Sequence, residues 1–86
     1  MISKQLIHKV IAFLNTFNSN KNVIWSITVW NNHPRITCNI GIWSLDNNDF
    51  IKNSIGSISD NIHNIEDFNK FKEKVNKELP LILKKL

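Results

Sequence analysis

His8, His33, His63 and Cys38 are the only soft metal ligands in the 86-residue chain. A structural zinc site needs four such groups converging, usually announced by paired spacings. Here no two histidines stand four apart, there is no C-x-x-C pair, and the four residues fall on a helical segment, a turn, a pre-helix loop and an apolar run. Nucleophilic chemistry is no better served. It needs a base and an orienting group beside the nucleophile, and Cys38 lies between Ile36 and Ile40 as a small core residue. Asp46 and Asp49 flank DNND and read as turn formers. With only Gly41 and Gly56, the chain has no phosphate-cradling loop. The expectation is a protein that is not an enzyme, with no catalytic residue, metal or cofactor.

Recognition chemistry is concentrated in residues 23–44, VIWSITVWNNHPRITCNIGIWS. Strict alternation makes 23–30 and 35–45 strands. Asn31, Asn32, His33 and Pro34 form the turn, because Asn tolerates left-handed geometry and Pro34 holds His33 extended. A four-residue loop pairs Trp30 with Arg35, Val29 with Ile36, Ile27 with Cys38, Trp25 with Ile40 and Val23 with Ile42. A slip by one residue would set apolar side chains against polar ones, so the register is specified. The face opposite the core then collects Ser26, Thr28, Trp30, Arg35, Thr37, Asn39, Trp43 and Lys52, with His33 in the adjoining turn. Trp and Arg are the residue types enriched as binding anchors, and a Trp30–Arg35 pair allows cation–π stacking. Two readings stand: the tryptophans anchor a partner, or they only strengthen the sheet by cross-strand packing.

The flanking elements must position this face. Residues 3–17 predict a helix capped by Ser3, with Leu6, Val10, Phe13, Leu14 and Phe17 at helical spacing and Ile7 and Ile11 widening the stripe. A third, weaker strand is predicted over 50–58, with Ile51 and Ile55 on the core face, Phe50, Lys52 and Ser54 outside, and an edge position or bulge signalled by Gly56. SDNIHN is read as the loop into a last helix from about 65, capped by Asn64 with Asp67 completing a capping box. Its core stripe is Phe68, Phe71, Val75, Leu79, Ile82 and Leu86. Pro80 should kink or break it near Leu79. The fold class is therefore α+β, in the order α-β-β-β-α, with a three-stranded antiparallel sheet, both helices on one face and the other face open. The whole chain, 1–86, forms one domain. LPLIL (79–83) is apolar on every side. Leu79, Leu81, Ile82, Leu83 and Leu86 either plug the end of the core or form a dimer or partner interface.

Composition narrows the setting. Fourteen Asn, fourteen Ile and ten Lys against one Arg reflect A/T-rich codons rather than a functional Asn tract. The net charge is +4. Residues 1–45 hold Lys4, Lys9, Lys21 and Arg35 and no acid, while the remainder balances. That is a weak positive field, far short of a nucleic-acid-binding arm. A single cysteine, no signal-peptide pattern and no long apolar run predict a cytoplasmic protein without a membrane partner. A protein partner is expected first and nucleic acid second, with a homodimer as a further option.

NNHPR (31–35) and NIEDFNK (64–70), set in this element order, resemble the double-stranded RNA-binding domain in topology, and the order also resembles that of HicA-type toxins. The first resemblance implies that His33 and Arg35 reach an RNA minor groove. The family's Lys cluster at the start of the last helix is replaced here by Glu66 and Asp67, which repel phosphate. The second implies that a catalytic His could correspond only to His33. By size and open sheet face the chain also looks like the inhibitors that phages and mobile elements direct at host defence, anti-CRISPR proteins among them. The function expected from the sequence is docking on a protein as such an accessory or inhibitor. The alternative is single-stranded RNA or DNA binding on the open face.

Overall fold

The computed structural model describes residues 2–86. Helix α1 spans Lys4–Asn15, and Ser3 caps it, its Oγ accepting from the Leu6 N–H at 3.1 Å. The helix ends two residues earlier than its apolar stripe. Thr16 and Phe17 close it with tighter i→i−3 bonds to Phe13 and Leu14, and Phe17 still packs on the core.

Strands β1 (Val23–Trp30) and β2 (Arg35–Leu45) form the predicted hairpin in the predicted register, from Val23 opposite Ile42 to Trp30 opposite Arg35. Strand β3 (Ile51–Ile62) pairs antiparallel on the other side of β2, so the sheet order is β1-β2-β3.

This third strand corrects the sequence reading twice. It runs to Ile62, through residues expected to be loop, because Ile58 and Ile62 both bury fully against the helices. It also contains two bulges, which leave Ile55 and Lys52 without a partner opposite. Each bulge reverses which side the following residues face. The two reversals cancel, so Ile51 shares the open face of Ser57, Ser59 and Asn61 and not the core face expected from the sequence; it stands opposite Leu45, 54% exposed, and Ile55 is only partly buried. Between the bulges Ser44 replaces part of the ladder, its Oγ accepting from the Asn53 N–H at 3.1 Å and donating to the Asn53 carbonyl at 3.3 Å.

Helix α2 spans Ile65–Leu83. Asn64 Oδ1 accepts from the Asp67 N–H at 2.9 Å. The reciprocal half of the cap is shifted by one residue: Asp67 Oδ2 accepts from the His63 N–H at 3.0 Å, not from that of Asn64. The expected break at Pro80 does not occur, and the helix continues to Leu83. Pro80 forgoes one hydrogen bond and crowds the Asn76 carbonyl, a cost of about 3 kcal/mol that core packing on both sides offsets. Leu79 before it and Ile82 and Leu83 after it all hold to the core, and the Lys84 N–H bonds the Pro80 carbonyl at 3.2 Å.

Both helices cover one sheet face. Leu6, Val10 and Leu14 from α1 and Phe68, Phe71, Val75 and Leu79 from α2 meet Ile36, Cys38, Ile40, Ile42, Ile58 and Ile62 in a single cluster. Phe13 seams the helices together, edge-on to Phe68 at 6.0 Å and to Phe71 at 6.3 Å. Burying each such side chain contributes on the order of 1.5–3 kcal/mol, which is what holds the sheet flat side out. No helix among the described residues is long and apolar enough to cross a membrane.

Candidate binding face of the sheet

The face away from the helices is built row by row from the register. Trp30 stands beside Arg35. Thr28, Thr37 and Asn61 form the next row, then Ser26, Asn39 and Ser59, then Ile24, Gly41 and Ser57. Trp43 stands opposite Ser54, and Leu45 opposite Ile51. The three tryptophans thus divide by parity. Trp25 belongs to the helix face, where its Nε1 donates to Asn18 Oδ1 at 2.8 Å under the α1–β1 loop. Trp30 and Trp43 are on the open face.

Neither of these two indoles stands upright. Trp30 leans towards β2 and donates from Nε1 to Thr37 Oγ1 at 2.9 Å, and Thr37 in turn donates to Asn61 Oδ1 at 2.8 Å. This chain crosses all three strands. The Arg35 guanidinium lies 4.7 Å from the Trp30 ring centroid, a contact worth about 0.5–1 kcal/mol at a solvated site. Arg35 is pinned by donating to the His33 carbonyl at 3.2 Å. From the other end, Trp43 lies over Gly41. A Cβ on Gly41 would come within 2.8 Å of the Trp43 Nε1, so only glycine leaves room for the ring. Thr37 and Gly41 are four residues apart on β2, about 13 Å. The two indoles thus point at each other across exposed Asn39, flanked by exposed Ser26 and Ser59.

Of the residues singled out from the sequence, Thr28, Trp30, Arg35, Thr37, Asn39 and Trp43 are brought together. His33 is exposed in the adjoining turn and reaches the site through its carbonyl. Lys52 does not join them, because it is the bulge residue beyond Trp43. The sequence reading missed Ser59 and Asn61, since it ended the strand at 58, and Ser57, since it set the odd residues of that strand on the core face. The period-two pattern Ser57-Ile58-Ser59-Asp60-Asn61-Ile62 carried the signal. It also missed Gly41 as the seat of an indole.

No protein-family model, curated protein or solved structure matches this chain.

The resemblance to RNA-binding and toxin folds therefore rests on element order. The second surface drawn from the sequence is reduced. Leu79 is buried at 6% exposure, and Ile82 and Leu83 pack on the core. They plug the core end as one of the two readings held, and only Leu81 and Leu86 stay exposed. Elsewhere, a concavity of about 420 Å3 separates the two helix N-termini, bordered by Leu6, Lys9 and His63. It is a poor anion site: Ser3 and Asn64 each already take one first-turn N–H, and Glu66 and Asp67 stand in the first turn of α2.

Proposed function

We propose that this protein is a binding module that docks another protein on the open face of its sheet, with Trp30 and Trp43 as the anchors. The single observation that carries the reading is the pair of indoles laid down towards each other across a polar strip. Trp30 is held by two partners, Thr37 and Arg35, and Trp43 is seated over Gly41. Aromatic side chains already fixed in place lose little entropy on binding, which favours affinity. Apolar Ile24 and Ile51, both exposed, extend the contact beyond the strip. Occluding a partner's surface needs nothing further from this chain, and an accessory or inhibitor role for a phage or mobile element is the setting we favour.

A second reading has one observation in its favour. By the register, the open-face rows from Trp30 to Ser54 contain no carboxylate, so unpaired bases could stack on the indoles at ~1–3 kcal/mol each. Arg35 is the only cation in those rows, which ranks this reading below protein docking.

Affinity capture from the native host at about 50 mM and about 500 mM salt, with and without nuclease, separates the two. Docking on a protein is expected to survive high salt and nuclease. The variant Trp30→Ala/Trp43→Ala should then weaken the captured complex by roughly 30-fold or more in Kd, as loss of a buried aromatic anchor does. Capture confined to low salt and destroyed by nuclease selects the second reading. A partner that binds the double variant as tightly as the wild type sinks the sheet-face assignment.

A further inference from the structure

The sheet has two edges, and they are treated differently. Trp43 N–H donates to the Asn22 carbonyl at 2.8 Å, which fixes the parity of the β1–β2 ladder. The even residues of β1 bond inward to β2, and the odd residues, Trp25, Ile27 and Val29, turn their N–H and C=O groups outward. Val23 follows the same parity, its N–H taken by the Asn20 carbonyl of its own loop. Among the described residues, nothing pairs with the outward groups of the other three. The strand they belong to, VIWSITVW, has no charge, no proline and no glycine. Such an edge is a template for another strand, and proteins that do not use one blunt it.

The β3 edge is partly blunted. By the same parity its outward groups belong to Ser57, Ser59 and Asn61. The Asn61 N–H is taken by the Asp60 carboxylate at 2.9 Å, and the Ser59 carbonyl by Lys74 Nζ at 3.3 Å. The two bulges interrupt the rest.

We infer that the β1 edge pairs with the β1 edge of a second copy of this chain, antiparallel about a two-fold axis at Ile27. The occupant follows from the strand's own pattern. In this register Trp25 pairs with Val29 of the second copy and Ile27 with its equivalent, all apolar, on the helix face. On the open face Ile24 pairs with Trp30 and Ser26 with Thr28, apolar with apolar and hydroxyl with hydroxyl. Shifting the axis to Ser26 or Thr28 sets a tryptophan against Asn22 or Ser26 instead. The pairing covers the edge side of Val29, 38% exposed in the single chain, and sets Ile24 and Trp30, 46% and 43% exposed, side by side with their open-face surfaces left free for a partner. It adds about six backbone hydrogen bonds and makes one six-stranded sheet with all four helices on one side. The outer edges of that sheet are the two partly blunted β3 strands, so assembly stops at the dimer.

The test is sedimentation equilibrium of the intact protein from about 10 µM to about 1 mM, with amide exchange measured at both ends. A dimer is expected, with the Trp25, Ile27 and Val29 amides protected as concentration rises. Ser26 and Thr28 are exposed and oppose each other across the axis, so two variants read the register. Ser26→Lys/Thr28→Lys sets like charges in apposition and should weaken association at least about tenfold. Ser26→Lys/Thr28→Glu sets opposite charges there and should stay within about threefold of wild type. A chain that is monomeric at the highest concentration overturns the inference. So does a dimer whose three amides exchange equally at both concentrations, or equal association of the two variants. None of these readouts involves the docking partner, so this pairing and the sheet-face reading fail separately.

Discussion

At the scale of single residues, the binding face depends on a side chain that is absent. Trp43 rests where the Gly41 Cβ would be, and no other residue on the face has that control. Gly41→Ala should lift the indole off the sheet at little cost in stability, because the colliding atom is the far end of a movable ring. The expected result is a red-shifted tryptophan emission with the far-UV spectrum unchanged. Partner binding should fall by as much as in Trp43→Ala. Unchanged emission would mean the ring does not lie over Gly41. Trp30 differs in kind. It is held by a hydrogen bond and a cation rather than by a gap, so Thr37 and Arg35 share its positioning.

At the scale of the elements, the caps and bulges decide how far each segment runs. The Asp67 carboxylate is held below its ordinary range, first by the His63 backbone N–H and then by the His63 side chain. A carboxylate lowered in the folded state stabilises it above the ordinary carboxylate range, and that contribution is lost as pH falls through the lowered value. Asp67→Asn should therefore flatten the acid limb of the stability–pH curve while leaving the backbone bond an acceptor. Chemical denaturation at several acidic pH values checks this, and an unchanged slope would remove Asp67 from the acid transition. In β3 the bulges have a functional consequence. The second undoes the reversal made by the first, so Ile51 returns to the open face beside Leu45 and Trp43 and extends its apolar end.

At the scale of the whole molecule, two helices on one side of a three-stranded sheet leave one face and one edge for other molecules. The covered side is closed tightly. Cys38 has no exposed surface, and its thiol is pushed up to about 12, first by burial and then by the charge of Asp60, its cross-strand partner. A raised thiol adds stability that is complete below the ordinary thiol range and declines as pH climbs towards the folded value. Because the thiolate is the nucleophile, the native protein should resist iodoacetamide at about pH 8 and label only as fast as the core opens. Native labelling at the rate of an unfolded peptide would contradict the closed core.

Alternation along residues 23–45 determined the hairpin, its register and the side on which Trp30 and Trp43 stand, because a period of two leaves no second solution once one face must be buried. Helical spacing likewise determined both stripes, apart from Leu86, which lies beyond the end of α2 and is exposed, and the N-cap residues Ser3 and Asn64. Other features depended on contacts distant in sequence. Whether Ser59–Ile62 is strand or loop was decided by the fit of Ile58 and Ile62 under the helices. Whether Pro80 breaks α2 was decided by the core holding residues on both sides of it. The lean of each indole depended on Thr37, Asn61 and Gly41, and the openness of the β1 edge on no other segment pairing with Trp25, Ile27 and Val29. Local pattern fixes the direction of a side chain, but occupancy of the space it points into belongs to the assembled fold.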